Sequence, residues 1–263
     1  MIDFRNKTAM ITGAASGIGE AISYQLAQRG CNLILTGLNL SGLEAVQQKC
    51  KSYGVEASIF EMNLADLASV DSFAGAIKEK YASIDVFILN AGISQRAKTL
   101  ETDFSVDRKI MDVNYFGSVY LIKQFKDMLL KSTYTAIGIT TSISGLFGYP
   151  LRSSYCASKH ALFGFFESMD LEYDNIHVTF LIPGRVNTQI SKSAMLGNGE
   201  AYQKMDPGQA NGIDVDKCAK IAVKAIAKGK HRKLIGGVEL LMVYINKYFT
   251  WLYYRLAKKT SAV

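Results

Sequence analysis

The sequence predicts one α/β domain: a doubly wound parallel sheet of about seven strands with helices on both faces. Short β-branched or apolar runs alternate with longer segments of helical period, and such alternation implies parallel strands joined by right-handed crossovers. The runs are nearly continuous in apolar residues, as expected when helices cover a sheet on both sides. A chain of 263 residues, 49% hydrophobic and 20% charged, suits one globular domain with a substantial core.

Strands are expected at residues 9–12, 32–36, 56–61, 85–89, 135–141, 177–182 and 233–235. Helical patterns fall between them, for example at 17–29, 41–53 and 67–81. No repeat or Pro-rich linker interrupts the order. The longest irregular stretch, 184–212, is the place to expect a lid or a binding element.

Composition narrows the function classes. Cys31, Cys50, Cys156 and Cys218 are scattered without a C-x-x-C pair, which reads as reduced thiols in a cytoplasmic protein. His160, His177 and His231 form no ligand-spaced set, so no metal site is expected. Neither a secretory signal nor an apolar run of ~18 residues is visible. The formal charge is +7, and residues 228–263 hold all of it, with eight Lys/Arg against the single acid Glu239. The remainder is balanced, which excludes a global basic footprint for nucleic acid.

The first strand runs into Thr12-Gly13-Ala14-Ala15-Ser16-Gly17-Ile18-Gly19, and a helix follows. Glycines let the backbone turn tightly and approach a ligand, and a helix N-terminus offers free N–H groups and positive dipole to a diphosphate. Strand, Gly-rich turn and helix together are the context of a Rossmann-type dinucleotide site, here spaced G-x-x-x-G-x-G.

Further motifs follow in order: Asn90-Ala91-Gly92 at the end of the fourth strand, Asn114 within Asp112-Val113-Asn114, Ser142 at the end of the fifth strand, Tyr155-Cys156-Ala157-Ser158-Lys159, and Pro183-Gly184 with Val186 and Thr188. In this register the chain resembles the short-chain dehydrogenase/reductase family over nearly its whole length. The resemblance implies a carbonyl–alcohol oxidoreductase that uses NAD(P)(H). It implies cofactor contacts at Thr12, Gly13, Ser16, Gly17, Ile18, Gly19, Leu38, Asn63, Leu64, Asn90, Ala91, Gly92, Tyr155, Lys159, Pro183, Gly184, Val186 and Thr188, and a catalytic set of Asn114, Ser142, Tyr155 and Lys159.

Chemistry gives each catalytic residue a reason. Tyr155 and Lys159 stand four apart on a helix and project from one face. A nearby ammonium favours tyrosinate and makes the phenol a better proton donor and acceptor. Ser142 would bond the substrate oxygen and steady its developing charge. Asn114 would hold a proton-relaying water. His160, beside Lys159, points away from Tyr155 and is read as structural. The alternative is a non-catalytic nucleotide-binding regulator on the same fold, against which the intact Ser142, Tyr155 and Lys159 set argues.

Two positions depart from the family pattern. NAD-preferring members place an acid near Gly37, and NADP-preferring members often place Arg near Leu38. Neither is present, and without a carboxylate to repel a 2′-phosphate the reading leans to NADP(H), with NAD(H) as the alternative. Asn63 stands where an adenine-binding Asp is common, and its amide oxygen can accept the same bond.

The chain is therefore divided into a dinucleotide-binding catalytic domain, 1–237, and an amphipathic helical tail, 238–263. The tail carries a wide aromatic and aliphatic face and resembles the member-7-like branch of the family, which implies a lipophilic substrate. The placements open for that face are packing on its own domain or on another subunit, or peripheral contact with a membrane. Residues 113–130 and 154–173 carry more apolar surface than one sheet face needs, so a homodimer or homotetramer is expected.

Overall fold

The computed structural model describes residues 2–259. Seven strands form one sheet: β1 (Thr8–Thr12), β2 (Asn32–Gly37), β3 (Ala57–Glu61), β4 (Val86–Leu89), β5 (Thr135–Thr140), β6 (Ile176–Pro183) and β7 (Arg232–Ile235). Their spatial order is β3-β2-β1-β4-β5-β6-β7, and every pair is parallel. The helices are α1 (Gly17–Ala27), α2 (Leu40–Lys51), α3 (Leu67–Lys80), α4 (Phe104–Met111), α5 (Gly117–Gln124), α6 (Lys126–Lys131), α7 (Ser153–Glu172), α8 (Pro207–Ala210), α9 (Val215–Ala227), α10 (Leu241–Tyr248) and α11 (Thr250–Lys259).

Alternation along each strand divides the core into two layers. Ile11, Leu33, Leu35 and Ile88 face α1, α2 and α9, where they meet Ile22, Leu26, Val46 and Ile226. Met10, Ile34, Phe87 and Ile137 face the other way, onto Phe73, Leu121, Leu162 and Phe166 of α3, α5 and α7. Both faces of the central strands are covered, which is why β1, β2 and β4 read as apolar runs, whereas the edge strand β7 leaves Arg232 and Lys233 exposed.

The chain winds outward from β1 through β2 to β3, then returns to lay β4 against the other side of β1. Crossovers leaving β1 and β4 in opposite directions open a crevice beyond their C-terminal ends. Gly13 and Asn90 follow those two ends directly.

The stretch 184–212 is largely irregular, with one 3-10 turn at Gln189–Ser191 and the short α8. It is stitched to the segment after β4: Met195 N donates to Ser94 O at 2.9 Å, and Arg96 N to Met195 O at 2.8 Å. The tail departs from one continuous helix. Phe249 (φ −134°, ψ 57°) breaks it between α10 and α11, so the two apolar faces need not align.

Part of the apolar excess expected to pair subunits is taken up within the chain. Phe125, Leu162, Phe163 and Phe166 are buried in the second core layer. Phe116 stays 48% exposed, and Tyr115, Val119, Tyr120 and Phe165 are half-buried. All four cysteines are buried and unpaired. Among the described residues, no helix is long and apolar enough to cross a membrane, and no group of three or more His, Cys, Asp or Glu could hold a metal ion.

Candidate active site

A cleft of about 600 Å³ opens at the β1/β4 crevice. Every residue expected to bind or react lines it except Thr12, Gly19 and Asn114, which stand one layer behind. Thr12 Oγ1 accepts the N–H groups of Asn90 and Ala91 at 3.0 and 3.1 Å, and Asn90 Nδ2 reaches back to Thr12 O and Gly13 O at 3.3 Å. Thr12 thus ties the ends of β1 and β4 together from beneath. A Cβ on Gly19 would sit 2.2 Å from Gly13 O, so Gly19 is where α1 packs against the turn.

The turn itself fits a dinucleotide. Gly13 and Gly17 hold positive φ (65° and 58°), which side chains resist, and a Cβ on Gly13 would lie 2.9 Å from Ala91 Cα. Ser16 occupies the N-cap of α1, yet its side chain accepts none of the helix's first N–H groups, whereas Asn39, Asp66 and Asp214 cap α2, α3 and α9. The opening donors of α1 are therefore left to face the cleft, where positive dipole and unused N–H groups suit a diphosphate. Gly37, Leu38, Asn63 and Leu64 line the far end. Asn63 Oδ1 accepts from Ala65 N at 3.0 Å, which fixes the amide and leaves one lone pair for a ligand.

At the near end, Ser142, Tyr155 and Lys159 are all buried and line the same wall. Ser142 caps a 3-10 turn after β5, its Oγ accepting from Ser144 N at 3.1 Å. Tyr155 sits in the first turn of α7. Burial raises the Tyr155 phenol above its ordinary value; the Arg152 guanidinium, a hydrogen bond with Ser142 and the Arg96 guanidinium oppose that rise. Tyr155 is therefore a protonated phenol at neutral pH. Two arginines thus add positive charge near the phenol that the sequence spacing did not announce. Lys159 Nζ lies 5.8 Å from the Tyr155 ring centre and donates to Thr140 O at 2.9 Å.

Burial pushes the Lys159 ammonium down to about 8. Its folded value lies below the unfolded one, so the unfolded chain binds more protons between about 8 and 10.5. Stability rises with pH across that window, and below it the full cost of the buried charge is present. Lys159→Met is expected to stabilise the fold near pH 7 by on the order of 1–3 kcal/mol, with the gain fading above pH ~10. Calorimetry at several pH values checks this; a melting temperature at or below that of the unaltered chain at pH 7 contradicts it.

Asn114 lies in a π-turn, Asp112–Phe116, between α4 and α5. Its Nδ2 donates to Ile93 O at 3.0 Å and to Ser158 Oγ at 2.9 Å, while its Oδ1 accepts from Ile93 N at 2.8 Å. Both amide hydrogens are committed, so only acceptor lone pairs remain for a water. Asn114 pins the loop after β4 to the turn of α7 between Tyr155 and Lys159. His160 bonds Cys156 O through Nδ1 at 2.8 Å and is absent from the cleft wall.

Sequence reasoning missed a buried cluster beside Tyr155. Arg96 and Arg152 line the cleft, and both pair with Asp206 from the irregular stretch. Arg96 is separated from Asp206 by 110 positions, so no local spacing announces the contact. A second cavity, of about 880 Å³, adjoins the first and shares Ser142, Arg152, Gly184 and Gln209 with it. The tail forms one of its walls through Leu241, Met242 and Ile245. It is held there by Tyr253, which packs on Phe147 with ring centres 5.0 Å apart and donates to Gly148 O, and by Glu239, whose Oε1 accepts from Arg185 N at 2.9 Å.

Comparison with known proteins gives a consistent answer. The family model described as short chain dehydrogenase matches residues 7–198. A Drosophila melanogaster protein named dehydrogenase/reductase SDR family protein 7-like is 34% identical over 251 residues, covering 92% of this chain and 77% of that protein. The human dehydrogenase/reductase SDR family member 7 is 29% identical, over 95% of this chain and 77% of its own length. Among solved structures, a short chain dehydrogenase/reductase from Burkholderia phymatum in complex with NAD superposes with a TM-score of 0.85 at 21% identity, covering 100% of this chain and 99% of that one. An alcohol dehydrogenase from the archaeon Thermococcus sibiricus, complexed with 5-hydroxy-NADP, gives 0.76 at 26% identity, over 88% and 97% of the two chains.

Proposed function

The chain belongs to the short-chain dehydrogenase/reductase family, and from that premise we propose that it interconverts a carbonyl and an alcohol, with Tyr155 as general acid/base. One observation carries the reading: Ser142, Tyr155 and Lys159 are buried together at the end of a cleft whose other end is an open glycine-turn cradle. A regulator that only binds a nucleotide has no use for a protonated phenol and a buried ammonium on the wall opposite its diphosphate cradle.

The residues that would hold a nicotinamide dinucleotide are those of the α1 turn, with Leu38, Asn63, Asn90 and Lys159 along the cleft and Pro183 to Thr188 closing its side. When bound, the cofactor supplies or accepts the hydride. The chain's own groups handle the proton. Tyr155 donates it to the substrate oxygen in reduction and recovers it in oxidation. The Ser142 hydroxyl bonds the same oxygen and steadies its partial charge. Lys159 holds positive charge beside the phenol, and Asn114 keeps α7 in register with the loop after β4. The tail-walled cavity beyond Ser142 is where the remainder of a partly lipophilic substrate is accommodated.

We assign NADP(H) as the preferred cofactor. Gly37 ends β2 on the cleft wall, and a Cβ there would meet nothing closer than Gly13 Cα at 3.8 Å. Gly37→Asp therefore fits sterically and places a carboxylate at the wall assigned to the ribose. The substitution is expected to shift the ratio of NADPH to NADH affinity toward NADH by ~10-fold or more, the effect of one uncompensated charge repulsion. Titration of both cofactors checks it; tighter NADH binding by the unaltered chain overturns the assignment.

The tail has a second face. Tyr244, Tyr248, Trp251 and Tyr254 are each more than half exposed, beside Lys247, Lys258 and Lys259. We assign this face to an anionic membrane surface, where basic residues attract headgroups and aromatic rings enter the interface. Anionic vesicles are expected to blue-shift the emission of Trp251, the only tryptophan, and salt to reverse the shift. An unchanged spectrum without co-sedimentation removes the membrane role and leaves the tail as a cavity wall.

A further inference from the structure

The cluster of Arg96, Asp206 and Arg152 is unbalanced in both charge and hydrogen bonding. Two guanidinium groups share one carboxylate, and all three side chains are largely buried. Their bonds converge on one oxygen: Arg96 Nε at 3.0 Å, Arg96 Nη2, and Arg152 Nη2 at 3.3 Å all donate to Asp206 Oδ2. Arg96 also donates to Ser94 Oγ and Gln95 O, so its donors are well used. Arg152 and Asp206 are both under-used: among the described residues, the buried Arg152 Nε has no acceptor and the buried Asp206 Oδ1 has no donor. Buried N–H groups of a guanidinium are costly to leave unpaired.

Arg152 is also where the two cavities meet. It shares that boundary with Ser142, Gly184 and Gln209. It is the N-cap of α7, three residues before Tyr155, and lines the same cleft. The other acid on the larger cavity's wall, Glu239, is already engaged by the N–H groups of Arg185 and Gly237. A planar guanidinium fork with a free edge is matched by an anionic oxygen group, and an alcohol or ester oxygen is a poorer partner.

We propose that Arg152 is a specificity-determining residue that binds an anionic oxygen group, carboxylate or phosphate, placed a few bonds from the reacting carbon of the substrate. The substrate is then an amphipathic oxo or hydroxy anion. Its charged end sits at Arg152, its reacting oxygen at Ser142 and Tyr155, and its apolar remainder against Phe147, Leu241 and Met242. This rests on the reading that Ser142 and Tyr155 hold the reacting oxygen, but the anion site can be tested without turnover.

Binding of decanoate, decyl phosphate, methyl decanoate and decanol to the full chain with saturating cofactor is measured by calorimetry. At least one of the two anions is expected to bind ~10-fold or more tighter than its neutral partner, the scale of a charge-assisted pair. Which of them does so identifies the anion. The preference is expected to vanish in Arg152→Gln and to survive in part in Arg152→Lys. Asp206→Asn distinguishes this from a purely structural clasp: it breaks the clasp yet leaves the guanidinium, and preference for the anion is expected to persist or grow. The same titration in Tyr155→Phe separates the two readings, because anion preference there requires no chemistry. Equal binding of anionic and neutral ligands by the unaltered chain, or a preference that survives Arg152→Gln, overturns the proposal.

Discussion

Tyr155→Phe is expected to lower turnover by at least ~10²-fold while cofactor affinity changes little. The substitution removes one oxygen from a side chain that is 7% exposed and leaves the ring in place. No other group on the wall can replace it. Ser142 is a hydroxyl whose Oγ accepts from Ser144 N, and Lys159 is turned onto Thr140 O. The ring contributes to one side of the cleft, whereas the glycine turn proposed to hold the diphosphate lies at the other end, so the binding and chemical effects are expected to separate. The kinetic signature is a fall in kcat with an unchanged Kd for the reduced cofactor. Turnover within a few-fold of the unaltered chain removes Tyr155 from the role.

Gly19→Ala carries the largest expected structural effect. Its Cβ would stand 2.2 Å from Gly13 O and 2.6 Å from Asn90 Nδ2, and the first of these is backbone. The helix must move off the turn, which breaks the packing that sets the cradle. A loss of about 3 kcal/mol is expected, the upper range for overpacking, or a fall in Tm of roughly 6–12 °C for a domain of this size. Cofactor affinity should fall with it, because the N–H groups of α1 are displaced from the cleft. Gly75→Ala is the control: it also lies within a helix, α3, but a Cβ there meets nothing within 4 Å. It should stabilise by up to ~1 kcal/mol through helix propensity. Similar melting temperatures for the two variants would contradict the account of the α1 packing.

The central strands were legible because β1, β2 and β4 are short apolar runs in a sheet covered on both faces. The observed strand ends differ by a residue or two, as with β6, which extends to Ile176 and Pro183. Such ends depend on cross-strand partners that the local sequence does not name. The cleft residues were legible because the glycine turn and the Tyr155–Lys159 spacing are local signals. Thr12, Gly19 and Asn114 were named from the same motifs, but their contacts with Asn90, Gly13 and Ser158 were not legible, since each is defined only once distant segments meet. The Arg96–Asp206 pair is hidden for the same reason. Phe125 and Phe166 could not be told from interface residues, since a helix's period shows an apolar face but not what covers it. The break at Phe249 leaves no mark in the sequence: neither Gly nor Pro lies there, and just beyond it Tyr253 packs on Phe147.

The central claim is that this cleft moves hydride between a nicotinamide and a carbonyl carbon. The most direct measurement uses NADPH deuterated at nicotinamide C4 on the transferring face, incubated with the purified chain and a panel of amphipathic ketones and oxo acids. Mass spectrometry of the products then locates the label. The account predicts deuterium on the carbinol carbon of at least one product, formed by the unaltered chain and at least ~10²-fold more slowly by Tyr155→Phe. Tight binding of the cofactor with no label in any alcohol would contradict it and would favour a nucleotide-binding regulator on the same fold.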